Sequence, residues 1–263
     1  MSAAIIIPAR YGSSRFPGKP LQIIAGRSML ERVWRIARAA RRCSRVVIAT
    51  EDERILAHAA AFGAETVLTS QDCRNGTERV HEAVALLELR EDVVVGLQGD
   101  AVLTPPWALD ALIEELEAHP DVEMATPAVR LDAKASRDFI AHKEISPTSG
   151  TTVVFDLDRN ALYFSKTVIP SLGREAAAPV HRHIGLYGFR RAALAKFVAL
   201  APTPLERAEG LEQLRALEHG LKMRIVVVDY RGRTHASVDT MEDVARVEAL
   251  IEAEGELLGH EDR

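Results

Sequence analysis

Three cationic side chains lie close together in a glycine-containing segment near the N-terminus. Arg10, Arg15 and Lys19 fall within ten residues, and no acidic residue precedes Glu31 although the chain carries a net charge of -5. An arginine can direct two parallel donors at a phosphate, a lysine adds a point charge, and glycines let backbone N–H groups approach an anion. The segment therefore predicts a triphosphate site from which pyrophosphate would leave. Taken alone, the same residues also fit a solvated loop with scattered charges.

The position of this segment in the chain favours phosphate binding. It directly follows the apolar run 4–7, which is typical of a strand buried on both faces. Ligands of open α/β sheets bind beyond the carboxyl ends of the strands. The segment lacks the Gly-Lys-Ser/Thr of a P-loop and the Gly-x-Gly-x-x-Gly of a dinucleotide site. We therefore predict a phosphate-binding loop of a different kind.

Two aspartates are candidate metal ligands. Asp100 follows the apolar run 93–97, and Asp239 follows the run 224–228 and precedes the last helical pattern. Mg²⁺ takes oxygen ligands, commonly one or two carboxylates together with substrate phosphates, and would polarise the phosphate under attack. From the residues alone, Asp100 is equally well a turn residue after Gly99 and Asp239 a helix cap.

The elements that position these residues alternate over the first 130 residues. Such alternation predicts a mostly parallel sheet with helices on both faces. Strands are predicted at 4–7, 46–49, 65–68 and 93–97. Helices are predicted at 27–42, after a capping box at Thr50-Glu51-Asp52-Glu53, at 76–89, and from Thr104-Pro105-Pro106.

The second half of the chain has a different pattern. Strands at 151–155, 161–164 and 184–189, separated by turns, predict a mixed or antiparallel extension. A helix from Arg191, a helix at 206–219, a strand at 224–228, and a capping box at Thr240 opening a helix to about Glu254 complete the pattern. Residues 174–179 are predicted to be a mobile loop. The whole chain, 1–263, is predicted to be one α/β domain with a smaller lobe at about 130–200.

Composition limits the classes of function. The chain of 263 residues is 47% hydrophobic and 27% charged, as expected of a globular protein, and its pI of about 6.0 argues against nucleic-acid binding. Cys43 and Cys73 form neither a metal-type pair nor a disulfide framework, which favours a reducing compartment. The apolar N-terminal run is too short for a signal peptide or a membrane span. We expect a cytoplasmic protein without a membrane partner.

A series of motifs in this order resembles the CMP-Kdo synthetase (3-deoxy-manno-octulosonate cytidylyltransferase) family over nearly the full chain. The motifs are Ile7-Pro8-Ala9-Arg10-Tyr11, Arg15, Pro17-Gly18-Lys19-Pro20, Asn75-Gly76-Thr77-Glu78-Arg79, Gln98-Gly99-Asp100, Ala161-Leu162-Tyr163-Phe164-Ser165, His183-Ile184-Gly185-Leu186-Tyr187-Gly188-Phe189, Leu211-Glu212-Gln213-Leu214-Arg215 and Val238-Asp239-Thr240.

The resemblance implies a Rossmann-like nucleotidyltransferase fold, a homodimer, CTP as the donor and Mg²⁺ as the cofactor. The acceptor would be an acidic sugar, a 3-deoxy-2-ulosonic acid such as 3-deoxy-manno-octulosonate (Kdo), used for lipopolysaccharide or another surface polysaccharide. Its anomeric hydroxyl would attack the α-phosphorus of CTP and release pyrophosphate. The lobe at about 130–200 would serve sugar binding and dimerisation.

The resemblance also implies the site residues, without assigning a general base. Those implied for catalysis are Arg10, Arg15, Lys19 and Asp100, and those implied for the metal are Asp100 and Asp239. Those implied for the nucleotide are Pro8, Ala9, Arg10, Arg74, Asn75, Gly76, Thr77 and Gln98. Those implied for the sugar are Lys166, His183, Tyr187, Glu212 and Gln213.

Two positions depart from the family pattern. Ala101-Val102 stands where Glu-Pro usually follows Gln-Gly-Asp, so a carboxylate is lost beside the predicted metal ligand. Lys166 replaces the arginine that usually follows Tyr-Phe-Ser, which keeps the charge but loses the bidentate fork. Two alternatives therefore stay open. The acceptor could be a sialic-type nonulosonic acid, or the chain could be a non-catalytic paralogue that binds CTP or a CMP-sugar.

Overall fold

The computed structural model describes residues 2–12, 16–171 and 179–258, which form an α/β fold. The strands are β1 (Ala3–Ala9), β2 (Ile23–Ile24), β3 (Arg27–Ser28), β4 (Arg45–Thr50), β5 (Glu65–Leu68), β6 (Val93–Gly96), β7 (Met124–Arg130), β8 (Thr151–Phe155), β9 (Ala161–Ser165), β10 (His181–His183), β11 (Tyr187–Arg190) and β12 (Met223–Val227). The helices are α1 (Met29–Arg38), α2 (Glu53–Ala61), α3 (Gly76–Leu86), α4 (Pro106–Ala118), α5 (Ala133–Ile145), α6 (Arg191–Val198), α7 (Pro204–Glu209), α8 (Gln213–Glu218) and α9 (Met241–Glu254).

The N-terminal half builds a parallel sheet in the order β5-β4-β1-β6. Every residue of β1 is buried, because helices cover both faces of the sheet. Successive side chains of a strand point to opposite faces. Thus Ile5 and Ile7 pack with α1, α2, α4 and α9, whereas Ala4 and Ile6 pack with α3, α6 and α8.

The C-terminal half extends the same sheet. Strand β11 runs antiparallel between β6 and β7, β10 runs antiparallel to β7 and β8, and β8 pairs with β9 in a hairpin. Strand β12 lies parallel to β7. The predicted parallel centre with an antiparallel extension is confirmed, and the extension is continuous with the central sheet.

Several predicted boundaries are confirmed. Strands β5 and β8 span the predicted residues, and α6 begins at Arg191. The capping box of α9 is also present, since the backbone N–H of Thr240 donates to Asp243 Oδ2 at 3.0 Å. The predicted loop at 174–179 lies outside the described residues apart from Pro179.

Four element predictions were wrong in detail. The helix predicted at 206–219 is two helices, α7 and α8, because Gly210 adopts a left-handed conformation with φ of 62°. The strand predicted at 184–189 starts only at Tyr187, since the Leu186 N–H turns back to the Ile184 carbonyl at 2.7 Å. Helix α2 is capped by Asp52 and not by Thr50, which still belongs to β4. Helix α1 begins at Met29 because the preceding serine caps it.

Candidate active site

A cleft of about 310 Å³ opens at the carboxyl ends of β1 and β6, where the fold was expected to bind its ligand. Four separate segments of the chain contribute to it. The lining residues are Pro8, Ala9, Arg10, Lys19, Pro20, Cys73, Arg74, Asn75, Gly76, Arg79, Gln98, Gly99, Asp100 and Asp239. The cleft thus brings together the basic segment, the nucleotide motif and both predicted metal ligands.

Lys19 links the two aspartates. Its Nζ lies 2.7 Å from Asp100 Oδ2 and 3.8 Å from Asp239 Oδ1, and donates to the Val238 carbonyl at 2.8 Å. The Gly18 N–H donates to the Tyr11 carbonyl at 3.0 Å and closes the turn that aims Lys19 at the cleft. Two carboxylates that are 81 or more residues from the lysine in sequence therefore converge on one cation.

The two aspartates suit a divalent cation that also binds phosphates. Among the described residues, no three or more His, Cys, Asp or Glu side chains are placed so that they could hold a metal ion together. Mg²⁺ needs only one or two carboxylates when substrate phosphates and water complete its shell. The carboxylates of Asp100 and Asp239 already face the same positive group and remain partly exposed, with 29% and 43% of each side chain accessible. This donor set fits Mg²⁺ and does not fit a dedicated site made of protein ligands alone.

The structural roles that the sequence also allowed, a turn residue for Asp100 and a helix cap for Asp239, have different outcomes. Asp239 is not the cap of α9, because Thr240 takes that position. Asp100 does lie in a turn, in which the Ala101 N–H donates to the Gln98 carbonyl at 3.1 Å. That turn points the Asp100 carboxylate at Lys19, so the turn and a functional role coexist.

The nucleotide motif forms the first turn of α3. Asn75 caps the helix by accepting from the Glu78 N–H at 2.8 Å, so capping and cleft lining also coexist there. Arg74 is exposed and pairs with Glu78 at 2.5 Å. Asn75 and Gly76 place the N-terminus of α3 at the cleft wall, and a helix N-terminus favours an anionic or polar ligand.

Glycines allow the walls of the cleft to approach closely. A Cβ on Gly99 would lie 3.0 Å from the Pro8 carbonyl oxygen, and one on Gly76 would lie 3.0 Å from Gln98 Oε1. Any side chain at Gly99 would therefore push against backbone. The Pro8, Gly76 and Gln98 segments consequently form one continuous wall.

Of the basic segment, Arg10 lines the cleft with its side chain exposed. The predicted catalytic residue Arg15 lies outside the described residues. Its role stays a prediction from the sequence. Arg54 stacks on the ring of Tyr11, with its Cζ 3.4 Å from the ring centroid, and so packs against the start of the loop.

Arg79 belongs to the nucleotide motif and lines the cleft, although the sequence did not predict it as a site residue. Its guanidinium is buried, lies 2.9 Å from Glu51 Oε2 and donates to Thr69 Oγ1 at 2.5 Å. The other oxygen of Glu51 accepts from the Tyr11 N–H at 3.1 Å. This ion pair joins the nucleotide motif to the basic loop, and we infer that it positions both.

Breaking that ion pair is expected to destabilise the fold. Glu51→Gln keeps an acceptor for the Tyr11 N–H but leaves Arg79 buried beside a neutral group, which costs roughly 3–5 kcal/mol. Urea unfolding of the variant measures the loss. The matched control is Glu65→Gln in the exposed pair with Arg45, which is worth less than about 1 kcal/mol. Equal losses in the two variants would contradict the assigned role.

Four of the predicted sugar residues form a connected layer beneath the cleft. Thr77 Oγ1 donates to Glu212 Oε2 at 2.9 Å, and Tyr187 donates from its hydroxyl to Gln213 Oε1 at 2.9 Å. The rings of Tyr187 and His183 lie 5.7 Å apart, and His183 is buried. The void between Thr77, Gln98 and Tyr187 has a volume of about 10 Å³, room for one water at most. This void is too small to hold a sugar.

The layer is uncharged at His183 and Tyr187. Burial lowers the pKa of His183 to about 3 and raises the pKa of Tyr187 above its usual range. Both groups are therefore neutral near pH 7. His183 and Tyr187 can therefore orient the hydroxyl groups of a sugar by hydrogen bonding. They carry no charge that could pair with the carboxylate of an acidic sugar.

Lys166 lies apart from the other sugar residues. It is not among the residues that line the cleft. Its Nζ lies at the turn that joins α7 and α8, 3.2 Å from the position that a Cβ would take if Gly210 had one. Its backbone N–H donates to Glu209 Oε2 at 2.9 Å. A long cation at this turn stands over the segment that carries Glu212 and Gln213.

Replacing Glu212 is expected to stabilise the protein above neutral pH. Burial raises the pKa of Glu212, so the folded state binds the proton more tightly than the unfolded state, and stability falls as pH rises from the ordinary carboxyl range through the raised pKa. Glu212→Gln removes that cost and keeps an acceptor for Thr77. Urea midpoints at pH 8 and pH 4 test this: the gain should be larger at pH 8. A midpoint at pH 8 equal to or below that of the wild type would contradict it.

This chain is similar to known proteins over nearly its whole length. A family model described as cytidylyltransferase matches residues 4–225. A 3-deoxy-manno-octulosonate cytidylyltransferase from Maricaulis maris (strain MCS10) is 54% identical over 259 residues, covering 98% of this chain and 100% of its own. An 8-amino-3,8-dideoxy-manno-octulosonate cytidylyltransferase from Shewanella sp. (strain ANA-3) is 41% identical over 254 residues, covering 95% and 99%. The solved structure of a CMP:2-keto-3-deoxy-manno-octonic acid synthetase complexed with CTP has a TM-score of 0.86 at 32% identity and covers 97% of this chain and 100% of its own.

Proposed function

The chain belongs to the cytidylyltransferase family, and we propose that it transfers the cytidylyl group of CTP to Kdo or a close variant, releasing pyrophosphate. Its fold is that of the nucleotidyltransferases, as the sequence analysis predicted. The observation that carries the proposal is the convergence of Lys19, Asp100 and Asp239 at the mouth of a cleft whose wall is the N-terminus of α3.

Different residues of the cleft bind the nucleoside and the triphosphate. The cytosine and ribose lie against the wall made by Pro8, Ala9, Asn75, Gly76 and Gln98, where backbone groups and amides can read the base by hydrogen bonds. The triphosphate meets Arg10, Lys19 and, by the family resemblance, Arg15. These cations stabilise the charge that develops on the departing pyrophosphate.

Asp100 and Asp239 would hold Mg²⁺ in the complete enzyme. When bound, the ion would supply Lewis-acid polarisation of the α-phosphate. The Lys19 ammonium restrains both carboxylates in the absence of substrate, which keeps them on the same side of the cleft. The acceptor hydroxyl attacks the α-phosphorus in line, and the O–P bond to pyrophosphate breaks on the opposite side.

The acceptor enters between the cleft and the layer beneath it. Tyr187, Gln213 and Glu212 present hydrogen-bonding groups to sugar hydroxyls once this layer opens, and Lys166 offers a charge for the sugar carboxylate. Relatives are named for both Kdo and its 8-amino analogue, so the proposal covers both. Ala101 leaves more room beside Asp100 than the usual glutamate would.

An acceptor and nucleotide panel tests the proposal. The purified protein with Mg²⁺ is given each nucleoside triphosphate with Kdo, 8-amino-3,8-dideoxy-manno-octulosonate or a sialic-type nonulosonic acid, and pyrophosphate is measured. The expected result is release with CTP and one or both octulosonates, with the CMP-sugar identified by mass. Release with a nonulosonic acid alone would reassign the acceptor. Calorimetric CTP binding without turnover for any acceptor would instead support the non-catalytic paralogue.

The setting of the enzyme follows from the same proposal. We place it in the cytoplasm, where CTP is available, as a homodimer that serves synthesis of lipopolysaccharide or another surface polysaccharide. None of the described helices combines the length and apolar character needed to cross a bilayer. Sedimentation analysis of the purified protein tests the dimer, and a monomer at micromolar concentration would contradict it.

A further inference from the structure

The main chain of Lys166 lies just beyond the end of a strand. Lys166 directly follows Ser165, the last residue of β9, which is paired with Thr152 of β8. Strand β9 also stands at the end of the sheet order. Main-chain groups that are shielded from water nearly always have a partner, so those of Lys166 need partners other than a strand.

Glu209 supplies the partner on the N–H side. Its Oε2 accepts from the Lys166 N–H at 2.9 Å. Its Oε1 accepts from the Ser165 hydroxyl at 2.8 Å and from the Tyr163 hydroxyl at 3.4 Å. The Ser165 hydroxyl oxygen in turn accepts from the Thr167 N–H at 2.9 Å. One carboxylate therefore holds the end of β9 by hydrogen bonds from both main-chain and side-chain donors.

Lys143, in the last turn of α5, supplies the partner on the carbonyl side. Its Nζ donates to the Lys166 carbonyl, to the Gly150 carbonyl at 2.7 Å and to the Pro147 carbonyl at 3.2 Å. A lysine ammonium has three donors, and main-chain oxygens take up all three here. This arrangement fits a group that holds the chain in place and does not itself bind a ligand.

Glu209 also connects Lys166 to the helix that carries two of the predicted sugar residues. It is the last residue of α7, and Gly210 makes the turn to α8 with φ of 62°. The Lys166 Nζ lies at this same turn, 3.2 Å from the position of a Cβ on Gly210. One glutamate therefore fixes the end of β9 against the segment that continues into Glu212 and Gln213.

We propose that Glu209 and Lys143 are positioning residues, which hold the main chain of Lys166 so that its ammonium group is placed for the carboxylate of the acidic sugar. The identity of that ligand rests on the proposed function, whereas the hold on the main chain depends only on the hydrogen bonds. Glu209 and Lys143 are not among the residues that line the cleft, so they act on the sugar through Lys166. Their replacement should affect the sugar and leave CTP binding unchanged.

Steady-state kinetics of the full chain with CTP, Mg²⁺ and Kdo or its 8-amino analogue test this role. Glu209→Ala should raise the KM for the sugar by about tenfold and leave the KM for CTP within about twofold of the wild type. Glu209→Gln should restore most of the loss, because its amide oxygen still accepts from the Lys166 N–H. The matched control is Glu144→Ala, on an exposed glutamate of α5, which should behave as the wild type does.

A double-mutant cycle distinguishes an indirect role from a direct contact with the sugar. Lys166→Met removes the charge itself, so adding Glu209→Ala to it should raise the KM for the sugar by less than about twofold further. A further tenfold rise would show that Glu209 acts without Lys166 and would overturn the inference. Equal rises in the KM for the sugar and the KM for CTP in Glu209→Ala would also overturn it, because they would indicate a general disturbance of the fold.

Amide exchange measures the hold on the main chain independently of turnover. In protein labelled with ¹⁵N only at lysine, the Lys166 N–H should exchange about tenfold faster in Glu209→Ala than in the wild type, with the Lys196 N–H of α6 unchanged as the reference. Unchanged exchange at Lys166 would overturn the inference.

Two further outcomes separate this inference from the proposed function. If Glu209→Ala does not fold by circular dichroism, Lys143→Met decides, and unchanged exchange at Lys166 in that variant would overturn the inference. Faster exchange at Lys166 in Glu209→Ala, beside a wild type that turns over no acidic sugar, would refute the proposed function and leave the hold on Lys166 standing.

Discussion

Asp100→Asn is expected to lower kcat for pyrophosphate release by on the order of 10²–10³-fold while the protein stays folded. The amide can still accept from Lys19, whose Nζ lies 2.7 Å from Asp100 Oδ2, so the cleft keeps its shape. What is lost is the negative charge that would hold the metal against the α-phosphate. Steady-state kinetics with CTP and Kdo measure the effect, and circular dichroism checks the fold.

The control for this substitution is Asp138→Asn. Asp138 is an exposed residue of α5 that pairs with Lys134 and does not line the cleft, so its replacement removes the same charge outside the site. Turnover should remain within about twofold of the wild type, because exposed pairs contribute little. Activity of Asp100→Asn close to that of the control would remove Asp100 from the mechanism.

Lys19→Met is expected to raise the Kd for CTP and lower kcat/KM by on the order of 10²–10³-fold. The Lys19 ammonium lies 2.7 Å from Asp100 and 3.8 Å from Asp239, and only 16% of its side chain is exposed. Methionine has a similar length, so the variant removes the charge and leaves two carboxylates facing each other. Calorimetry with CTP and steady-state kinetics measure the two effects.

Lys19→Arg should restore little of this loss. The Lys19 ammonium reaches three oxygens, on Asp100, Val238 and Asp239, from one compact group, which a planar guanidinium cannot reproduce. Lys196→Met, on an exposed lysine of α6 that lies 3.5 Å from Glu123, is the matched control. Full activity of Lys19→Arg would mean that the position needs a positive charge and no particular geometry.

The sequence predicted the parallel half of the fold well, because its signals are local. The apolar runs of β1, β4 and β6 are continuous, as burial on both faces requires. It gave no prediction for β7, which carries Pro127 in its middle yet pairs with β12. Proline is disfavoured in central strands, so tertiary context decided this strand.

The helices near the sugar residues show a second limit. Glu206 and Arg215 pair across the break between α7 and α8, and this contact stabilises the bend at Gly210. The spacing of apolar residues along the chain carries no information about a contact that is made across a turn. The sequence therefore predicted one helix where the structure has two.

The site itself was predicted by the order of its motifs and not by any single residue. The convergence of Lys19 and Asp100 follows from the ends of β1 and β6 meeting at one edge of the sheet, which the alternation of elements had indicated. Asp239 reaches them through the segment after β12, which pairs with β7. Arg79 could have been found from its place in the quoted motif. Its burial against Glu51 depends on packing between distant segments and has no local signal.

A double-mutant cycle on Asp100 and Asp239 tests the central claim most directly. Single-turnover rates of CMP-Kdo formation are measured for the wild type, Asp100→Asn, Asp239→Asn and the double variant. If the two carboxylates act as one unit on a single CTP, the double variant should fall within about tenfold of the slower single variant. Losses that add on the logarithmic scale would show that the aspartates act independently, and would contradict the shared site.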